Sequence, residues 1–158
     1  KAARPDAIFY GGMDAQGAPM LKQMKQLGIA AKYLSGDGVC TSEMIKLAGA
    51  AMSGDVYCTQ AGIPMDKMPA GKAFNERFTK RFNVPVQLYA PYSYDAANAL
   101  IEAMKLANSA EPAHYLPQLQ KVGFKGVTGN IAFDRYGDSR DGGVALYQFS
   151  AGKWDVRP

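Results

Sequence analysis

The amino-terminal third of the chain predicts an open α/β fold built on a parallel sheet. A short apolar run, Asp6-Ala-Ile-Phe-Tyr10, enters Gly11-Gly12 and then Asp14, where a helical pattern begins. A second run, Lys32-Tyr-Leu-Ser35, enters Gly36-Asp37-Gly38 in the same way, and a third strand-like run, Gly54-Asp-Val-Tyr-Cys-Thr59, follows the next helix. Strand, helix, strand, helix, strand over so short a span is the pattern of right-handed βαβ units. In such sheets ligands sit outside the carboxyl ends of the strands. Met13, Asp14 and Asp37 therefore fall on the rim of one candidate crevice.

Each element has a local reason. Asp6 to Tyr10 reads as a buried strand. Pro19 suits a first helical turn, and Met20, Leu21, Met24 and Leu27 recur at helical spacing until Gly28 supplies a stop. Thr41 or Ser42 can cap the next helix, whose Met44, Ile45 and Ala48 share a face before Gly49. The stretch from Gln60 to Gly71, rich in glycine and proline and without periodicity, reads as a crossover or linker. Phe74, Phe78 and Phe82 stand on one helix as a core stripe, and Pro85 breaks the chain. A helix from about Tyr92 to Ala107 would bury Tyr94, Ala97, Leu100, Ile101 and Met104. Ala113 to Val122 is a shorter helical candidate interrupted by Pro117. Gly126 to Phe133 and Gly143 to Phe149 then read as strands, with Asp134, Gly137 and Asp138 as turn chemistry between them. Ser150-Ala-Gly-Lys153 reads as a tight turn before Trp154, which makes a carboxyl-terminal β-hairpin.

The 158 residues suffice for one ordinary domain or two small interwoven lobes. With 47% apolar and 20% charged residues and a mean hydropathy of -0.20, the chain is able to bury a core. A net charge of +4 carried by scattered lysines is a solvated surface and not a nucleic-acid footprint. No apolar run reaches the length of a membrane span, and none of these residues reads as a signal peptide. The chain starts at Lys1 without methionine and is strand-like within a few residues, so it reads as the distal part of a longer protein.

The residue inventory narrows the chemistry. Gly11-Gly12 is not a GxGxxG fingerprint, and there is no P-loop, nucleophile elbow or His-Glu-x-x-His helix. With His114 as the sole histidine and no metal-type cysteine spacing, neither a metal nor a cofactor is expected. Asp14 and Asp37 could form an acid/base pair, which is the basis for reading the chain as a small α/β enzyme, but no nucleophile accompanies them. Asp37, between two glycines, could accept hydrogen bonds from an ammonium group in a closed cleft. The plainer reading, which spacing alone favours, is that it caps the following helix or completes a turn. Tyr89, Tyr92 and Tyr94 cluster at a helix start, where one of them could wall a cleft. Cys40 and Cys58 would pair in an exported protein, worth roughly 3 kcal/mol for a loop of this length, and would be buried thiols in a cytosolic one. Their spacing does not decide between the two.

The order of these pieces resembles the distal part of the branched-chain amino acid-binding proteins, the leucine/isoleucine/valine-type receptors of ABC importers. The matching stretches are Ala7-Ile-Phe-Tyr-Gly-Gly12, Tyr33-Leu-Ser-Gly-Asp-Gly38, the Phe74 to Phe82 helix, Tyr89-Ala-Pro-Tyr-Ser-Tyr-Asp-Ala96, and Gly129-Asn-Ile-Ala-Phe-Asp134 with Gly137. The resemblance implies a type I periplasmic-binding fold with two lobes joined by crossovers. Residues 1–61 would belong to the carboxyl-side lobe, 62–71 to a crossover, 72–141 to part of the amino-side lobe, and 142–158 to strands returning to the first. It implies a periplasmic receptor and no enzyme, with an amino acid as ligand and an ABC permease as partner. Asp37 would pair with the ligand's ammonium group, Met13 would line the cleft in place of a tyrosine found in some relatives, and Tyr89 would pack on the ligand side chain. The exported setting implies a Cys40–Cys58 disulfide. The groups for the ligand's carboxylate would come from a missing upstream lobe, so this segment alone would bind weakly or not at all, and its uncovered surface would permit a dimer. An amino-acid or amide sensor of the same fold is the alternative within the family.

Overall fold

The computed structural model describes residues 2–157. The chain divides into two compact units, Lys1–Ala61 with Val144–Pro158, and Gly62–Gly143.

The first unit is a five-stranded sheet in the order β1-β2-β3-β6-β7. Its strands are β1 (Ala7–Tyr10), β2 (Lys32–Ser35), β3 (Val56–Ala61), β6 (Val144–Ser150) and β7 (Lys153–Arg157). β1, β2 and β3 run parallel, as the βαβ pattern requires, while β6 pairs antiparallel with β3 and β7 with β6. Helices α1 (Asp14–Gln26) and α2 (Ser42–Ala48) make the connections. The core lies where Ala18, Leu21 and Met24 of α1 and Met44 and Ala48 of α2 meet Tyr33 and Val56 of the sheet.

α1 ends as its sequence dictates. Gly28 takes a positive φ of 64°. Its N–H donates to the Lys25 carbonyl at 3.0 Å, and that of Ile29 to the Met24 carbonyl at 2.9 Å, which closes a Schellman cap. Two expectations for this helix need correction. Pro19 sits inside it and not in its first turn, because the helix already starts at Asp14. Leu27 is the cap residue and stands 55% exposed, outside the buried stripe. β1 is likewise no buried strand. Phe9 is 72% exposed, and Val144 and Leu146 on the same face of the sheet are also exposed. Both helices cover the Tyr33 face, so the opposite face keeps its apolar residues uncovered.

The second unit holds α3 (Gly71–Phe82), α4 (Ala90–Ala107), the short α5 (Pro112–Tyr115) and a two-stranded sheet, β4 (Gly123–Lys125) with β5 (Asn130–Ala132). Phe74 is buried and Phe78 packs beside it, but Phe82, at the helix end, is 54% exposed, so the aromatic stripe is core only over its first two turns. α4 buries a different face from the one its large residues suggest. Pro91, Asp95, Ala99 and Ala103 point inward, while Tyr94, Leu100 and Ile101 are exposed and Ala97 is too. The cause is Asp95, whose carboxylate accepts hydrogen bonds from the N–H groups of Val127 and Thr128 and from the Thr128 hydroxyl, at 2.8–2.9 Å. Those bonds organise the β4–β5 turn. Residues 126–133 are therefore the turn and second strand of a hairpin, closed by the Gly126 N–H to the Gly129 carbonyl at 2.8 Å, and not one strand. The β6–β7 hairpin forms at Ala151-Gly152, both at positive φ.

Candidate functional site

The register of the parallel strands builds one rim. Tyr10 pairs with Ser35 and Ser35 with Cys58, so β1 and β2 end level with the middle of β3. The Ser35 hydroxyl, buried, donates to the Tyr10 carbonyl at 2.7 Å and locks the two strand ends together. Beyond them the Gly11-Gly12-Met13 turn and the Gly36-Asp37-Gly38 turn touch. A Cβ on Gly38 would lie 2.6 Å from the Met13 sulfur and 2.9 Å from the Gly12 carbonyl oxygen, so only glycine permits this approach.

Met13 and Asp37 are thereby neighbours on an exposed rim, with Met13 57% exposed. Asp37 opens a one-turn 3-10 helix, Asp37–Val39, and its carbonyl accepts the Cys40 N–H at 3.0 Å. It does not cap α2. That role belongs to Thr41, whose Oγ1 accepts the Met44 N–H at 2.9 Å. Asp14 differs from Asp37 in its surroundings. It is half-buried in the first turn of α1, where a carboxylate suits the helix dipole. It also accepts the Thr41 hydroxyl at 2.7 Å, so it ties the two helix starts together.

Cys40 and Cys58 form a disulfide with their Cα atoms 5.6 Å apart. Gln60 donates its Nε2 to the Cys40 carbonyl at 3.3 Å, and Trp154 its Nε1 to the Thr41 carbonyl at 3.0 Å. Neither contact was legible in the sequence, since each links residues distant along the chain. Thr41 alone carried a signal, as a cap.

Tyr89 belongs to the second unit, where it is the residue before α4 and is 44% exposed. Two neighbouring tyrosines make contacts within that unit. The Tyr92 hydroxyl donates to the Ile63 carbonyl at 3.4 Å, and the Tyr94 ring lies 5.5 Å from that of Phe74. His114 is a local surface partner, its Nδ1 3.1 Å from the Ser109 hydroxyl. Among the described residues, no helix is long and apolar enough to cross a membrane.

In the first unit the ends of the parallel strands β1 and β2 carry glycine turns, and the second unit is inserted in the sequence between β3 and β6. The chain matches the periplasmic binding protein family over residues 1–153 and belongs to it. Among its relatives is the Leu/Ile/Val-binding protein homolog 1 of Brucella abortus, 30% identical over 153 residues, which are 96% of this chain and 40% of that protein. The leucine-binding protein LivK of Thermotoga maritima superposes with a TM-score of 0.82 at 26% identity, over 97% of this chain and 44% of the other. The branched-chain amino acid transporter substrate-binding protein LivJ of Streptococcus pneumoniae, solved with isoleucine, shares the fold at a TM-score of 0.77 and 23% identity, over 96% and 44%. The chain thus spans about 40% of the length of the curated relatives it matches.

Proposed function

We propose that this chain is the distal segment of an exported receptor that takes up a branched-chain or related amino acid and presents it to an ABC permease, without chemistry on the ligand. The observation that carries the reading is the rim on which Gly38 brings Met13 against the Asp37 turn, in a chain of the periplasmic binding protein family. Asp37 takes the ligand's ammonium group, Met13 lines the cleft, and Tyr89 packs on the side chain. Residues 1–61 and 142–158 form the carboxyl-side lobe, 62–71 a crossover, and 72–141 part of the amino-side lobe. The uncovered sheet face around Phe9 and Leu146 supports a further, upstream part, which supplies the groups for the carboxylate. Selectivity then resides in closure, because only a ligand that touches both lobes shifts the open–closed equilibrium.

Calorimetry on the complete protein tests the reading, with leucine, isoleucine, valine and phenylalanine as ligands. Binding of one class is expected, and Asp37→Asn is expected to weaken it by about tenfold or more, since hydrogen bonds to charged groups are worth about 1.5–3 kcal/mol. Silence across the panel would remove the amino-acid assignment, and a variant that binds as well as wild type would remove Asp37 from the ammonium site.

A further inference from the structure

The Asp37 turn is anchored on both sides: Gly38 and Val39 within it are buried, Val39 at 0% exposure, and Gly38 lies against the Gly12–Met13 turn. Its own main-chain bonds are the Val39 N–H to the Gly36 carbonyl at 3.4 Å and the Cys40 N–H to the Asp37 carbonyl. Flanking glycines leave such a segment conformationally permissive. A second set of anchors comes just afterwards, at Cys40 and Thr41. Cys40 is 4% and Cys58 1% exposed, so the disulfide is packed inside the unit, with Tyr147 and Trp154 around it. It fastens the end of the turn to β3 at the residue level with Ser35. The Gln60 amide, the Trp154 indole and the Asp14–Thr41 pair hold the same two residues from β3, β7 and α1.

We propose that the Cys40–Cys58 disulfide, backed by the Trp154 indole, is a positioning clamp that fixes the Asp37 turn for the ligand's ammonium group. The inference rests on the Asp37 reading above. Binding a charged group with a loop that must first be ordered loses affinity to that ordering, and a clamp that orders the loop beforehand restores it. A cross-link that served stability alone would act through the unfolded chain and leave ligand discrimination unchanged.

The test uses the complete protein, with Cys40→Ala/Cys58→Ala as one variant and Trp154→Phe, which keeps the disulfide, as another. Affinities are measured for leucine and for isocaproate, which has the same carbon skeleton without the amine. Loss of well-placed charge-assisted hydrogen bonds is expected to weaken leucine about tenfold in the double variant and about threefold in Trp154→Phe, with isocaproate changed less than about twofold. Hydrogen exchange is expected to quicken at residues 36–44 and not in β1 to β3. If the double variant fails to fold, Trp154→Phe carries the same comparison. Variants that melt earlier yet keep the wild-type preference for leucine, with unchanged exchange at 36–44, would overturn the clamp while the Asp37 reading stands. A wild-type protein that binds leucine and isocaproate equally would overturn the Asp37 reading and this role for the clamp with it.

Discussion

Tyr33 shows how much a single buried hydroxyl decides in this unit. Its side chain is among the largest fully buried ones, and its hydroxyl has no hydrogen-bond partner. Burial, reinforced by the neighbouring Tyr10 phenol, pushes its pKa well above the usual 10.0. The native state therefore holds the neutral phenol, and the unfolded chain ionises first as pH rises. This contribution to stability is complete below about pH 10 and declines above it. Tyr33→Phe removes an unsatisfied group and is expected to raise stability by about 1 kcal/mol, and to flatten the alkaline decline, as read from urea midpoints across pH. Gly17 lies against the same hydroxyl. A Cβ there would stand 2.9 Å from Tyr33 Oη and 3.1 Å from Tyr10 Cε1. Alanine would gain about 1 kcal/mol in helix propensity but lose about 1–3 kcal/mol to overpacking. Gly17→Ala is thus expected to destabilise the protein, and less so on a Tyr33→Phe background. A variant as stable as wild type would mean that the ring moves aside at little cost.

At the scale of elements, α4 and the β4–β5 hairpin form one cooperative piece. Asp95 is 3% exposed and accepts every hydrogen bond that shapes the Val127–Thr128 turn from the helix side. Gly126 leaves room for that carboxylate, because a Cβ would fall within 2.6–2.8 Å of its atoms. Asp95→Ala leaves buried donors unpaired and is expected to cost about 3 kcal/mol. Amide exchange at residues 126–130 should rise well before that of α1. Protection retained there would show that the hairpin holds its turn without the helix. Part of this was hidden in the sequence for a physical reason. α4 is apolar on more than one side, so periodicity cannot choose between the face of Leu100 and Ile101 and that of Ala99 and Ala103. The choice follows from a carboxylate bonding to a turn 32 residues away. The Schellman end of α1 was legible, because Gly28 acts within its own helix.

For the whole molecule, the proposed pocket needs more chain than these residues. Asp37 and Met13 stand on the first unit and Tyr89 on the second, and no carboxylate-binding group has been assigned to either. The isolated 158-residue chain is expected to give no heat with leucine under conditions in which the complete protein binds it. An amino acid held only by its ammonium group on an exposed rim makes too few contacts to offset the cost of association. Micromolar binding by the isolated chain would place the carboxylate site within these residues.

Local pattern carries the order of elements in the first unit, the parallel start of its sheet, the turns at its strand ends and the stop of α1, because each depends on neighbours a few residues apart. Glycines, caps and apolar spacing act at that range. The bond of Asp14 to Thr41, the meeting of Cys40 and Cys58 and the buried face of α4 follow instead from the packed structure. Those outcomes depend on strand register and on contacts such as that of Trp154 with Thr41, 113 residues apart. No local pattern encodes them, since they arise only when the sheet brings distant side chains within hydrogen-bonding reach.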